Sequence, residues 1–151
     1  MSIELVEMDK MYANYIPEIK EIRNECAKSL KDSREISEAD VYSFFLDKVF
    51  SGEQKIFIIK HTEGVIGYMN IKYFDNNKCE VGIKIKEKHR NKKLGKKSLE
   101  MLINKLLDES MDEISAEIKS DNEPSQKLFA SLGFKKISDK EGVEVWQLKR
   151  E

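Results

Sequence analysis

The run from Ile83 to Lys97, I-K-I-K-E-K-H-R-N-K-K-L-G-K-K, constrains the fold of this chain more than any other stretch. It begins with the two-residue alternation of a strand, passes through a basic turn and opens into a helix at Leu94. Residues 94–107 carry Leu99, Leu102, Ile103 and Leu106 on one stripe, and in 113–119 Ile114, Ala116 and Ile118 alternate with Glu113, Ser115 and Glu117. Strand, helix and strand in that order make a β-α-β crossover, whose two strands must run parallel with a right-handed connection. The same run makes an anion site. A helix start leaves backbone N–H groups without partners, and its dipole favours negative charge. Gly95 lets the backbone come close to whatever binds. Eight Lys or Arg lie in this window against one acid, Glu87, in a chain whose net charge is only −1. That concentration of cations points to a phosphate-bearing ligand.

The other elements follow from period and punctuation. Residues 3–8 read as a short strand. Residues 15–30 read as a helix with Ile16, Ile19, Ile22 and Cys26 on one face, and 38–50 as a second helix burying Val41, Phe44, Phe45 and Val49. Ser37 and Asp40 stand in capping positions at its start. Strands are expected at 55–61, 65–74 and 78–86, the last two joined by the Asp75-Asn76-Asn77 turn. Pro124 sits in the first turn of a short helix over 122–132, and Gly133 ends it. A closing hairpin joins 134–137 to 143–148 around residues 139–142. These elements predict a mixed sheet covered by helices, of the α/β (α+β) class. With no linker, repeat or low-complexity tract, residues 1–151 read as a single domain.

Composition excludes several function classes. Apolar content of 40% beside 36% charged residues describes a folded chain with a heavily charged surface. The balanced charge argues against a general nucleic-acid binder. Cys26 and Cys79 lie far apart and read as reduced thiols of a cytosolic protein. Ser2-Ile3-Glu4-Leu5 has no signal-peptide core, and the apolar runs fall far short of the ~20 residues that span a bilayer. A soluble cytoplasmic protein is the expectation. His61 reads as a surface residue at a strand end, and His89 as a contributor of positive potential in the basic turn. Neither has a partner at metal-ligand spacing, so no metal is expected. Ser98, Ser115 and Ser125 lack an identifiable His base, so no nucleophile motif is visible.

Two blocks together resemble a known family. Arg90-Asn91-Lys92-Lys93-Leu94-Gly95 resembles the pyrophosphate loop of the GCN5-related N-acetyltransferases (GNAT), whose pattern is Arg or Gln, two variable residues, Gly, one variable residue, then Gly or Ala. Here Lys93 stands where the first glycine is usual. Asn122-Glu-Pro-Ser125-Gln-Lys-Leu128-Phe129-Ala-Ser-Leu132-Gly133-Phe134 resembles the family's later motif: Asn, a short helix, a Tyr, then Leu-Gly-Phe. The spacing between the blocks fits one helix plus one strand, and the resemblance spans about Val65 to Lys149. It implies the GNAT fold, with a mostly antiparallel sheet of six to seven strands and helices on both faces. It implies acetyl-CoA as cosubstrate. Backbone groups of Ile83, Lys84 and Ile85 would hydrogen-bond the pantetheine arm like an added strand. Arg90, Asn91, Lys92, Lys93, Leu94, Gly95 and Lys96 would hold the pyrophosphate, most of them through N–H groups from Asn91 onward. Asn122 would reach the cofactor, and Phe129 would lie beside the sulfur. One or two of Lys92, Lys93, Lys96 and Lys97 would meet the 3′-phosphate, the rest steering. The backbone at Lys93 is expected to be helical already and to tolerate the side chain.

The reaction so implied needs a neutral amine, yet a free alkyl amine has a pKa of ~10.4. Glu80 and Glu117, on the strands flanking the cofactor slot, are the candidate bases. The oxyanion donor is expected to be a backbone N–H near Ile85. The family often has Tyr where Phe129 stands, acting as general acid, and a phenyl ring cannot donate. The departing thiol resembles a free Cys of pKa ~8.5, so it can leave without an obligatory acid. Ile22-Arg23-Asn24 and Ser33-Arg34-Glu35-Ile36-Ser37 resemble the branch that acetylates ribosomal-protein N-termini and amino sugars of nucleotide-linked glycans. Tyr68, Asn70, Tyr73 and Arg34 are acceptor contacts by location. A polyamine would want an acidic pocket and a nucleotide sugar a basic or aromatic one. The function expected is N-acetylation of a primary amine: an amino sugar, a protein N-terminus or a small molecule. The alternatives are a non-catalytic acyl-CoA-binding module and a basic patch that contacts nucleic acid. The final hairpin leaves a homodimer open.

Overall fold

The computed structural model describes residues 2–8, 12–30, 32–62, 64–90 and 92–150. Seven strands form one sheet: β1 Glu4–Glu7, β2 Gln54–His61, β3 Gly64–Phe74, β4 Lys78–Ile85, β5 Glu113–Lys119, β6 Lys135–Lys140 and β7 Val143–Lys149. Their order is β1-β2-β3-β4-β5-β7-β6. Every neighbouring pair is antiparallel except β4 and β5. The parallel pair is joined by helix α3, Leu94–Asp108, as the crossover in the sequence requires.

Side-chain alternation sends apolar residues to both faces, and each face has its own helices. On one, Met69, Ile71, Cys79, Val81, Ile114 and Ala116 pack with Leu99, Leu102 and Leu106 of α3 and with Phe129 of α4, Glu123–Ser131. On the other, Ile56, Ile58 and Tyr68 pack under Ile16, Ile19 and Ile22 of α1, Ile16–Glu25, and Val41 and Phe45 of α2, Glu38–Phe44 and the residue that follows. The stripes read from period face the core, with Phe44 and Val49 of the second helix half-buried beside Val41 and Phe45. Ser37 and Asp40 close a reciprocal capping box at the start of α2: Asp40 N–H donates to Ser37 Oγ at 3.1 Å and Ser37 N–H to Asp40 Oδ2 at 2.8 Å.

Two helices end differently from the sequence reading. The first helix ends at Glu25 and continues as a 3₁₀ turn at Ala27–Ser29. The second changes to a π turn over Phe45–Val49, where Phe50 N–H reaches back to Phe45 C=O at 2.9 Å. There Phe45 is fully buried and Phe44 meets its ring edge-on at 6.4 Å.

β3 and β4 approach closely at one point. Gly67 pairs with Ile85, and a Cβ on Gly67 would collide with the Lys84 carbonyl oxygen and stand 2.9 Å from Ile85 Cδ1. Backbone cannot give way as a side-chain tip can. Gly67→Ala should cost about 3 kcal/mol or more in urea denaturation, at the upper end of overpacking effects. Gly95→Ala is its control: the nearest atom to a new Cβ is 3.7 Å away, and stability should be unchanged or slightly raised.

Candidate active site

The site begins where the parallel pair comes apart. β4 and β5 pair only from Lys78–Glu80 to Glu113–Ser115, and beyond that point the strands diverge. Between them opens a cleft of about 920 Å³, the size of a small-molecule site. β5 stays fully paired to β7 along its other edge, and β4 to β3. Backbone directions on β4 can be read from its contacts. The Cys79 carbonyl accepts from Ser115 Oγ across the remaining pair, and the Ile85 carbonyl accepts from Arg90 Nε at 2.9 Å. The Lys84 carbonyl turns to Gly67 on β3, and Lys86 N–H donates to Ile66 C=O on the same strand. Peptide groups alternate along an antiparallel ladder, so Val81, Ile83 and Ile85 point into the cleft while Gly82 and Lys84 point to β3. This corrects one expectation: Lys84 brings its side chain to the cleft, not its backbone.

The wide end of the cleft is the start of α3. Lys93, Gly95 and Lys96 line it, Lys92 is exposed beside it, and Leu94 turns into the core. Asn91 lies outside the described residues. Lys93 is the N-cap residue, at φ +63° and ψ +8°, with no side-chain cap on the helix. The expectation of a helical, unstrained Lys93 is therefore overturned. The chain enters α3 through the left-handed region, where a Cβ costs roughly 1–2 kcal/mol. Arg90 lines the cleft, but its guanidinium is engaged at the end of β4, with Nε on the Ile85 carbonyl and Nη2 3.2 Å from Cys26 Sγ. His89 is buried, 4% exposed, rather than displayed in the turn. His61 is half-buried, with Nδ1 3.3 Å from Thr62 Oγ1.

Helix α4 supplies one wall. Asn122 is its N-cap, and its Oδ1 accepts from Ser125 N–H at 3.3 Å. Phe129 is 3% exposed and lines the cleft while meeting Phe134 edge-on, ring centroids 5.0 Å apart.

The face toward α1 carries the polar side chains. Glu80 stands opposite Ser115 at the last paired position, and Glu117 lies two residues beyond on the far strand. Both line the cleft; Glu80 is half-buried and Glu117 exposed. Asn70 and Lys84 line it further along. Lys84 Nζ lies 3.5 Å from Asn70 Oδ1 and 5.1 Å from the Tyr68 ring centroid. Burial pushes the Lys84 ammonium down to about 8, with Cys26 opposing and nearby Arg23 adding to the shift. Tyr73 is not on this face: it packs against the α3 side of the sheet, and burial raises its phenol to about 12. Arg34 is exposed and pairs with Asp32 at 2.7 Å. Arg23 and Asn24 hold the loop before α2. Arg23 donates to the Asp32 and Arg34 carbonyls, and Asn24 exchanges two hydrogen bonds with Ile36. Sequence reasoning missed these loop contacts and the Lys84 side chain. The signal for Lys84 was present: Glu80, Gly82 and Lys84 share one face of a strand whose other face is wholly apolar.

Among the described residues, no group of three or more His, Cys, Asp or Glu is placed to hold a metal ion, and no helix is long and apolar enough to cross a membrane. A sheet that forks at a parallel pair, with a helix start at the mouth, defines a class of cofactor-binding folds. The chain belongs to the acetyltransferase (GNAT) family, whose model matches residues 16–134. A search of curated proteins found no match. Among solved structures, a domain from Methanocaldococcus jannaschii superposes with a TM-score of 0.85 at 21% identity, over 99% of each chain. A GNAT superfamily phosphinothricin acetyltransferase from Sinorhizobium meliloti, solved with acetyl-CoA, gives 0.79 at 22% identity, over 96% of this chain and 88% of that one. A ribosomal-protein-alanine N-acetyltransferase from Brucella melitensis gives 0.80 at 16%, over 99% and 100%. At these identities the likeness shows the fold.

Lys93→Gly relieves a left-handed side chain, and should raise stability by about 1 kcal/mol, a rise of ~2–4 °C in melting temperature for a chain of this size. Acetyl-CoA affinity, measured by calorimetry, should change less than about threefold, because the backbone path is kept and the neighbouring cations remain.

Proposed function

We propose that this chain is an acetyl-CoA-dependent N-acetyltransferase, acting as one domain over residues 1–151 and transferring acetyl directly to a primary amine. The observation that carries this reading is the fork itself. Its edge presents the Val81 carbonyl and the peptide groups of Ile83, its mouth is a cationic helix start, and its closed end holds two carboxylates. An extended amide chain ending in phosphates fits that sequence of partners. The acetyl-CoA bound by the Sinorhizobium neighbour supports the same reading. So does the amine chemistry in the name of the Brucella neighbour. The two free thiols, Cys26 and Cys79, fit a cytoplasmic protein.

Acetyl-CoA, when bound, supplies an activated acetyl thioester. The residues of this chain bind and orient it. Val81, Ile83 and Ile85 offer the strand edge, and an N–H of Ile83 or Ile85 is the oxyanion donor. Lys93, Gly95 and Lys96 hold the pyrophosphate with Asn91, and Lys92 and Lys97 add positive potential. The Asn122 oxygen caps α4, which leaves its amide Nδ2 as the atom that would reach the cofactor. Phe129 forms an apolar wall beside the sulfur and keeps water from it. Glu80 or Glu117 takes the proton from the incoming ammonium. Loss of activity in Glu80→Gln but not Glu117→Gln, or the reverse, identifies the base.

A second reading, a non-catalytic acyl-CoA-binding module, is favoured by one observation: the site has a phenyl ring where its family often has a phenol. Three measurements separate the readings. Acetyl-CoA at sub-millimolar concentration should raise the melting temperature, and no shift sinks both cofactor readings. Thiol release with a panel of amines distinguishes enzyme from binder. Retention on nucleic acid at physiological salt would instead support a role for the basic patch. Phe129→Tyr should change turnover by less than tenfold; a larger gain would mark a decayed site.

A further inference from the structure

We propose that Lys84 and Asn70 form an anion-binding end of the acceptor pocket, so that the amine acetylated here is a small molecule that also carries a carboxylate. This rests on the reading of the cleft as an acetyltransferase site.

On the α1-facing side of β4, the side chains run Glu80, Gly82, Lys84. Lys84 is half-buried in the cleft, and among the described residues no carboxylate lies within ion-pair distance of its Nζ. What surrounds it is the Asn70 amide, the Tyr68 ring, the Cys26 thiol and, from α1, Arg23. Glu80 and Lys72 stand opposite each other further along the strands. Taking an ammonium partly out of water without a counter-charge is costly, and a bound anion removes that cost. Burial is the main cause of the lowered Lys84 value, about 8, with Arg23 adding to it and Cys26 opposing. Asn70 completes the set of donors. Its Oδ1 faces Lys84, which leaves Nδ2 free to donate, and an ammonium beside an amide N–H matches a two-oxygen anion. Gly82 makes this arrangement fit: a Cβ there would come within 2.7 Å of Asn70 Oδ1. The pocket thus has a carboxylate end at the fork and a cationic end at Lys84. An amine with an anionic tail spans it in one orientation, with the amine toward the base. A polyamine would set its second ammonium against Lys84 and Arg23.

The test is steady-state thiol release from acetyl-CoA with the common amino acids, their carboxamides and the matched aminophosphonates. The wild type should favour carboxylates over carboxamides at least tenfold in kcat/KM, mainly through KM. The preference should fade above pH 8, as the free Lys84 ammonium loses its proton. Lys84→Met should collapse the ratio to near one, whatever its absolute rate. Lys84→Arg should restore the ratio and hold it above pH 8, since a guanidinium keeps its charge. Equal handling of acid and amide by the wild type, or a ratio that survives Lys84→Met, overturns this inference alone. A phosphonate preferred to the carboxylate overturns the choice of anion. No transfer to any amine, with the acetyl-CoA melting shift intact, overturns both this inference and the transferase reading.

Discussion

The parting of β4 from β5 is the constraint on which the rest of the structure depends. A parallel pair that stops at Glu80 and Ser115 makes no ladder bonds beyond that pair. Backbone groups left so must find other partners. The fold tolerates the loss because each strand keeps a full ladder on its other edge, β4 with β3 and β5 with β7. Further along, the Ile85 carbonyl is met by Arg90 and by the Cys26 thiol. The groups that remain open, the Val81 carbonyl and the Ile83 peptide, therefore lie between two fixed ends. A ligand with its own amides can complete that strand edge, and a sheet without the fork would have no such vacancy.

One strand consequently serves three surroundings at once. The odd-numbered side chains of β4, Cys79, Val81, Ile83 and Ile85, pack toward α3, and the peptide groups of Val81 and Ile83 edge the cleft. The even-numbered Glu80, Gly82 and Lys84 face α1. Period-two alternation makes this division automatic, and the pairing register sets which residues fall on which side. The α1 side is held by side chains rather than by strands. Arg23 and Asn24 fasten residues 32–36, and Lys119 Nζ donates to the Lys28 carbonyl at 3.0 Å. Helix α1 is thereby tied to the loop before α2, and the 3₁₀ turn that follows it to the far wall of the fork.

Elements whose signals are local were legible in the sequence. The stripes of α1 and α3, the Ser37–Asp40 capping box, the Asp75–Asn77 turn and the alternation of β5 each lie within a few residues, and each stands where its pattern put it. The two motif blocks were legible because they fix a helix start and a helix cap. What depends on distant partners was not. Nothing near Ser115 says that its strand will part from β4 one residue later. The positive φ of Lys93 comes from the path between a 3₁₀ turn at Glu87–His89 and the start of α3, and a lysine codon carries no mark of it. His89 reads as one more cation in a basic turn, and burial under that turn is a tertiary fact. Arg90 reads as a phosphate ligand because its partners, Ile85 and Cys26, include one 64 residues away.

Phe129 shows how packing bears on the chemistry proposed for this site. Its ring is nearly closed off, set edge-on against Phe134, while Phe134 N–H donates to the Phe129 carbonyl at 3.1 Å. The ring belongs to the apolar core that joins α4 to the α3 side of the sheet. The position thus contributes shape and dryness, and no proton. Direct transfer to an amine remains chemically sound under that condition, because a thiolate of ordinary acidity is a competent leaving group near neutral pH. The proton that has to move is the one on the incoming ammonium, whose pKa of ~10.4 keeps it charged. The groups proposed to take it, Glu80 and Glu117, lie on the opposite face of the sheet from Phe129, at the closed end of the fork. In the proposed reaction, proton traffic would thus be separated from the apolar wall, with deprotonation and choice of acceptor in the polar half of the cleft.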